Sequence, residues 1–170
     1  MVGALAPSPN IFQNNLNSNN SLKQKIINSF IRANPNESQD EQTINSSDIT
    51  VSRNHHTNGK TSIIVQANNQ EQIQNLFENA KVLEIKHSSD LDVDTVVLET
   101  ELQGKEYQVE IYGIQAEKNL KGKTLKSGEL LGQMGDNPRS TSPNSKFMGI
   151  RVKDKSINRY IDPNILINRL

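Results

Sequence analysis

Between Leu120 and Pro163 the apolar residues fall into two short runs, Glu129-Leu130-Leu131 and Phe147 to Val152, set between segments rich in Gly, Ser, Asn and Pro. Gly128, Gly132 and Gly135 recur at close spacing in the first half of this stretch. Glycine accepts a positive φ and lets a second backbone approach closely. Such spacing fits small strands that turn sharply, as at the corners of a compact barrel or sandwich. The stretch predicts a small all-β unit.

The preceding residues extend that pattern. Gln103-Gly104-Lys105 is a tight-turn signal between strands at Thr95–Leu102 and Glu106–Ile111. Val96, Leu98 and Thr100 face one way on the first strand, and Tyr107, Val109 and Ile111 on the second. Gln108 and Glu110 are expected to face solvent or a partner. Asp48 to Arg53 alternates polar and apolar residues as a short strand does, and Thr61 to Ala67 reads as its return. Between them Asn58-Gly59 is a type I′ turn signal. Asn69 to Asn79 predicts one amphipathic helix, with Ile73, Leu76 and Phe77 as its apolar face.

The N-terminal third is different. Residues Met1 to Asn20 form an Asn-rich arm, expected to be disordered alone because Asn and Ser side chains compete for backbone hydrogen bonds. Ser21 to Ala33 predicts a helix: Ser21 serves as N-cap, and Leu22, Ile26, Ile27, Phe30 and Ile31 share one face. Asn34-Pro35 stops it. The face has two readings, packing on the chain's own β domain or docking into another subunit. Glu37 to Ser47 is a polar linker. The expected organisation is an arm, helix and linker over 1–47 and a β domain over 48–170.

Composition limits the partners. In 170 residues the apolar types are 33% and the aromatics 4%, with no Trp, so the core must be thin and rich in Ile, Leu and Val. A thin core is easier to sustain when surface is buried against other subunits. Lys+Arg and Asp+Glu are both 19, which gives no electrostatic reason to expect nucleic acid or an anionic membrane as partner. With no cysteine there is neither a disulfide framework nor a Cys-based zinc site. The first residues show no basic region followed by an apolar run, and no window approaches the ~18 apolar residues of a membrane-spanning helix. No export signal is therefore expected, and synthesis in the cytoplasm is.

Several segments together resemble the LytM/lysostaphin-type zinc metallopeptidases, which cut peptides of bacterial cell walls. Leu125-Lys126-Ser127-Gly128-Glu129-Leu130-Leu131-Gly132-Gln133-Met134-Gly135 is similar to that family's lysine- and glycine-bearing run, and Ser140-Thr141-Ser142-Pro143 to its following loop. Ser145 to Val152 stands where the family has a strand carrying H-x-H, and Asp162-Pro163 matches its closing pair. Upstream, Ala80 to Ile85, Asp94 to Glu99 and Val109 to Ile114 look like three of its strands. The resemblance runs from Ile63 to Leu170. It implies a mainly β fold, a small antiparallel sandwich or barrel-like LytM-type domain, preceded here by the arm and one α-helix.

The same resemblance implies that the peptidase chemistry is absent. The family's zinc is held by a His and an Asp of an early motif and by the second His of H-x-H. The first His of H-x-H and a His of a Y-x-H strand assist the reaction. Aligned by the strand, the H-x-H positions fall on Ser145 and Phe147, and the Y-x-H histidine falls on Ile114. Catalytic zinc needs three nitrogen or oxygen ligands and an open position. Phe147 and Ile114 can supply none, and Ser145 is a poor ligand.

The remaining candidates are weaker. His55 and His56 are adjacent, so on a strand they point to opposite faces. His87 leads into Asp90, Asp92 and Asp94, which alternate like the start of an EF-hand loop without its glycine or closing Glu. The expectation is no catalytic residue, no metal and no cofactor. The function expected is a non-catalytic structural or assembly module, a component of a phage tail, baseplate or hub. Its partners would be other subunits, met through the arm and helix, with peptidoglycan as a second partner. The rivals are an active zinc endopeptidase using His55, His56 and His87, and a biotinyl- or lipoyl-type carrier suggested by the glycine-rich hairpin. For the carrier, Lys123 and Lys126 lack the flanking Met.

Overall fold

A computed structural model describes residues 24–28, 30–32, 49–55 and 60–170. The arm, the linker and the Asn58-Gly59 turn lie outside the described residues. Eleven strands occur among those described, all paired antiparallel in one sheet. They are β1 (Ile31–Arg32), β2 (Ile49–His55), β3 (Thr61–Ala67), β4 (Gln72–Gln74), β5 (Asn79–Ser88) and β6 (Val93–Leu102). After these come β7 (Lys105–Ala116), β8 (Thr124–Lys126), β9 (Leu130–Asp136), β10 (Lys146–Asp154) and β11 (Arg159–Ile161). Residues 24–28 are helical, and a short C-terminal helix covers Pro163–Ile167.

The meander β5–β6–β7 is built as its alternation demands. Val96, Leu98, Tyr107, Val109 and Ile111 are all within 1% of complete burial. Gln103 and Gly104 both have positive φ, 53° and 80°, the backbone a type I′ hairpin requires. The Tyr107 hydroxyl, carried inside by that packing, accepts a hydrogen bond from Arg169 Nη1 at 2.8 Å. Farther along, Thr95 pairs with Tyr112 but Asp94 pairs with Ile114, leaving Gly113 as an extra residue at φ 77°. This bulge resets the alternation, so Tyr112 points away from the core and Ile114 points into it, fully buried.

Strand β10 is the hub, pairing with β3, β7, β9 and β11. Met148, Ile150 and Val152 face the core, so Phe147, Gly149 and Arg151 are left for the opposite face.

Residues 69–79 do not form a helix. Gln72–Gln74 is a strand, with Ile73 set opposite both Ile31 and Gly132. The apolar spacing that reads as a helix face instead buries Ile73 and Phe77 on either side of the irregular break between β4 and β5, where the chain runs on antiparallel to β9 and then β8. Asn75 anchors that break. It is fully buried, its Nδ2 donates to the carbonyls of Phe77 (2.9 Å), Lys126 (3.1 Å) and Leu125 (3.3 Å), and its Oδ1 accepts from Phe77 N (3.1 Å). Its backbone joins the β8–β9 turn through Glu129 O and Gly128 N. A buried amide satisfied on both sides specifies one conformation.

The N-terminal helix is shorter than its sequence signal, because Ile31 and Arg32 leave it to pair with β4. Its apolar face is turned inward: Ile26, Ile27 and Phe30 are at most 5% exposed and belong to the same core cluster as the strands. Phe30 meets Phe77 edge-on, with centroids 6.4 Å apart. Among the described residues, the apolar face of this helix is therefore spent inside the chain. The C-terminal helix is capped by Asp162, whose side chain accepts from Asn164 N at 3.0 Å, and buries Leu166 and Ile167. Among the described residues no helix is long and apolar enough to cross a membrane.

Candidate functional site

The outward face of β10 builds the site. Gly149 stands opposite Tyr112 of β7, and the Tyr112 ring lies directly over it: a Cβ at Gly149 would come within 2.1 Å of the ring's Cζ. Phe147 and Arg151, two residues to either side, flank the ring. The Phe147 and Tyr112 centroids are 5.9 Å apart at 57°, and the Arg151 guanidinium carbon sits 4.2 Å from the Tyr112 centroid. Gly149 thus creates the slot that lets one ring bridge an aromatic and a cation.

Below Arg151 lies Glu110, its register partner. Glu110 lies on the outward face but is only 7% exposed, because Arg151 and Tyr160 cover it. Its Oε1 is 3.9 Å from Arg151 Nε, and that Nε is buried without a hydrogen-bond partner. Its Oε2 accepts from the Tyr160 hydroxyl. Burial first, and then the bond to Glu110, push the Tyr160 phenol up to about 12. The fold favours the neutral phenol, so this contribution to stability is complete below the unfolded value of ~10 and is lost as pH rises toward about 12. A phenolate absorbance titration should show one ionisation near that upper value that Tyr160→Phe removes; an unchanged titration would exclude the assignment.

Two connected lobes open over this face. The larger, about 450 Å³, is bounded by Asp90, Leu91, Val93, Thr95 and Asp136. The smaller, about 240 Å³, is bounded by Asn54, Ile64, Gln66 and Arg139. Tyr112, Pro138, Phe147 and Arg151 line both. The loop that carries Pro138 and Arg139 is clasped at its base. Asn137 N donates to Ser145 O at 3.0 Å, Asn137 Nδ2 meets Ser145 Oγ at 3.1 Å, and Asn137 Oδ1 accepts from Arg139 N at 3.0 Å. Lys146 pairs with Asp136 at 2.6 Å. On the far rim His87 Nδ1 meets Asp94 Oδ1 at 2.7 Å, and Gln115 Nε2 donates to Asp92 O at 2.7 Å. These contacts pin the turn that holds Leu91, which is 58% exposed.

The sequence candidates separate clearly. Phe147 lines the groove, and Ser145 holds the adjacent loop through its carbonyl and hydroxyl. Ile114 is on the other side of the sheet, inside the core. His87 faces Asp94 and Asp92, and Asp90 lies at the groove rim. His55 lies on β2 and His56 outside the described residues. Among the described residues no group of three His, Cys, Asp or Glu is placed to hold a metal ion. The arrangement offers apolar contact, a stacked guanidinium and hydrogen bonds, which is the chemistry of recognition. Arg151 and Arg139 are not singled out from the sequence, although Arg151 lies within the Ser145–Val152 strand and Arg139 precedes the Ser140–Pro143 loop. A further signal is the alternation Phe147, Gly149, Arg151, with a glycine where the family strand has a side chain.

No protein-family model and no curated protein matches the chain. Among solved structures it is similar to lysostaphin, with a TM-score of 0.51 at 15% identity, over 69% of this chain and 50% of that one. The chain thus spans about half the length of that structure. Two structures of the SpoIIQ–SpoIIIAH complex align at 12% identity, with TM-scores of 0.46 and 0.45 over 81% and 79% of this chain, and 91% and 79% of those chains. The likeness to lysostaphin establishes the fold: a mainly antiparallel β domain of the LytM type.

Proposed function

We propose that this chain is a non-catalytic recognition and assembly module on a lysostaphin-type fold. One observation carries the reading. At the position aligned with a zinc-binding histidine stands Phe147, which is packed against Tyr112 and leaves a Cβ at Gly113 no more than 2.6 Å of room. The position aligned with an assisting histidine, Ile114, is fully buried on the core side. A groove is kept, and its floor is aromatic and cationic. Function resides in such sites and not in the fold that carries them.

The proposed setting is a multi-subunit machine that meets the bacterial cell wall, such as a phage tail, baseplate or hub. It rests on the wall-directed chemistry of the peptidases this sequence resembles. The helix face that would otherwise dock a neighbour is buried in the chain's own core, so the groove is the better surface for a partner.

Elemental analysis of the purified chain, run beside a peptidoglycan-release assay with and without added zinc, tests this. Substoichiometric zinc and no release under either condition are the expected results. One zinc per chain together with wall release would make the chain an enzyme and end the reading.

A further inference from the structure

We infer that the groove recognises an acidic peptide segment of a protein partner, with a carboxylate on Arg151 and Arg139 and an adjoining aliphatic side chain between Phe147 and Leu91. The inference rests on the recognition reading above and adds the chemistry of the ligand. Arg151 is the central observation. Its Nε is buried with no hydrogen-bond partner, its ion pair to Glu110 is stretched to 3.9 Å, and stacking on Tyr112 fixes its plane. Glu110 is already engaged by Tyr160, so it does not saturate the guanidinium. The buried Nε faces Glu110, but the side chain lines both lobes of the groove, and a fixed guanidinium presented there matches a carboxylate. Arg139 stands exposed at the rim of the same lobe.

The opposite end sets the direction. Asp136 is neutralised by Lys146, and Asp90 is exposed on the far lobe. The ligand's acid therefore belongs over the arginines and away from Asp90. Between the two ends Val93, Pro138, Phe147 and Leu91 offer aliphatic and edge contacts. A sugar ring needs an open aromatic face. The Tyr112 ring lies against Gly149 and carries the Arg151 guanidinium, while Phe147 is 9% exposed. An aliphatic side chain suits these walls better than a glycan does.

The test uses the full chain labelled with 15N and two blocked peptides, acetyl-Asp-Leu-Leu-amide and acetyl-Asn-Leu-Leu-amide. The Asp peptide should shift the amides of Gly113, Arg139, Phe147 and Arg151, and bind about tenfold more tightly than the Asn peptide. Raising the salt should narrow that ratio. Arg139→Gln, at an exposed position, should keep the fold and lose most of the preference; Arg151→Gln should lose all of it. If Arg151→Gln melts early, Arg139→Gln decides the matter.

Equal binding of the two peptides, or no shift at groove amides, would overturn the inference. So would tighter binding to peptide-free glycan strands, or groove shifts that appear on concentrating the chain alone, which would mean a second copy is the occupant. In a zinc-free chain that releases no wall fragments, any of these results sinks the acidic-peptide inference and leaves the non-catalytic reading intact.

Discussion

Asn75→Asp should melt below Asn75→Ala at pH 7, and the gap should narrow as the pH falls to 4. Asn75 Nδ2 reaches three backbone carbonyls from a fully buried site, tying the β4 end to the β8–β9 turn. Alanine leaves those carbonyls short of a donor, and each buried group so stranded costs ~1–3 kcal/mol. A total near 3 kcal/mol lowers the melting temperature by about 10 °C in a domain of this size. Aspartate keeps the shape but directs a second oxygen at the carbonyls. Burial and the missing donor raise its folded pKa above the unfolded ~3.9. The unfolded chain therefore ionises first as pH rises, and the extra penalty grows from about pH 4 upward. Below that, the protonated acid donates one hydrogen bond and recovers part of the loss. Thermal melts of both variants at the two pH values decide it. Equal melting of the two variants at pH 7 would mean that a carboxylate at this site carries no extra penalty, and an Asn75→Ala variant that melts like the unaltered chain would mean that the side-chain donor contributes little.

Gly132→Ala is the second large effect. A Cβ there would lie 2.1 Å from Gln115 O and 2.9 Å from Ala116 Cα. Both atoms are backbone of β7, where β9 crosses it in register, so neither can rotate aside. Relief requires separating two strands, and a loss of ~3 kcal/mol or more follows. Gly104→Ala is the control. It meets nothing within 4 Å and carries only the cost of its φ of 80°, ~1 kcal/mol. Similar melting temperatures for the two variants would show that β9 yields more easily than the packing implies.

How much of this was legible in the residues depends on whether the signal was local. The hairpin around Gln103-Gly104 was fully readable, because two-residue periodicity and turn chemistry agree there. The 69–79 segment was misread because Ile73, Leu76 and Phe77 satisfy a helical spacing while their burial comes from strands distant in sequence. Glu110 lies on the outward face that its alternation implies, but what covers it there, Arg151 and Tyr160, arrives from β10 and β11 and could not be read locally. The resemblance placed Phe147 at a key position, and the structure puts it in the groove. It also placed Ile114, but the Gly113 bulge turns that residue inward. The arginines were passed over although both adjoin the matched segments, Arg139 just before the Ser140–Pro143 loop and Arg151 within the Ser145–Val152 strand, because neither position carries the family's chemistry.

The central position of β10 bears on how the chain is made. Four strands rest on it, three of them earlier in the sequence and one later. During synthesis the β5–β6–β7 meander can form as soon as it emerges, since its pairings join neighbours. The β2–β3 hairpin and the pairings of β9 with β4 and β7 need nothing from β10 either. Among the described residues, however, β3 joins the rest of the sheet only through β10 and must wait until residue 154 has left the ribosome. Until then β3 and β9 lack their shared partner, with their apolar faces open to other nascent chains. Such non-local closure is slow and exposes intermediates to aggregation. Yield should therefore respond more to chaperone supply and growth temperature during expression than the stability of the finished fold would suggest.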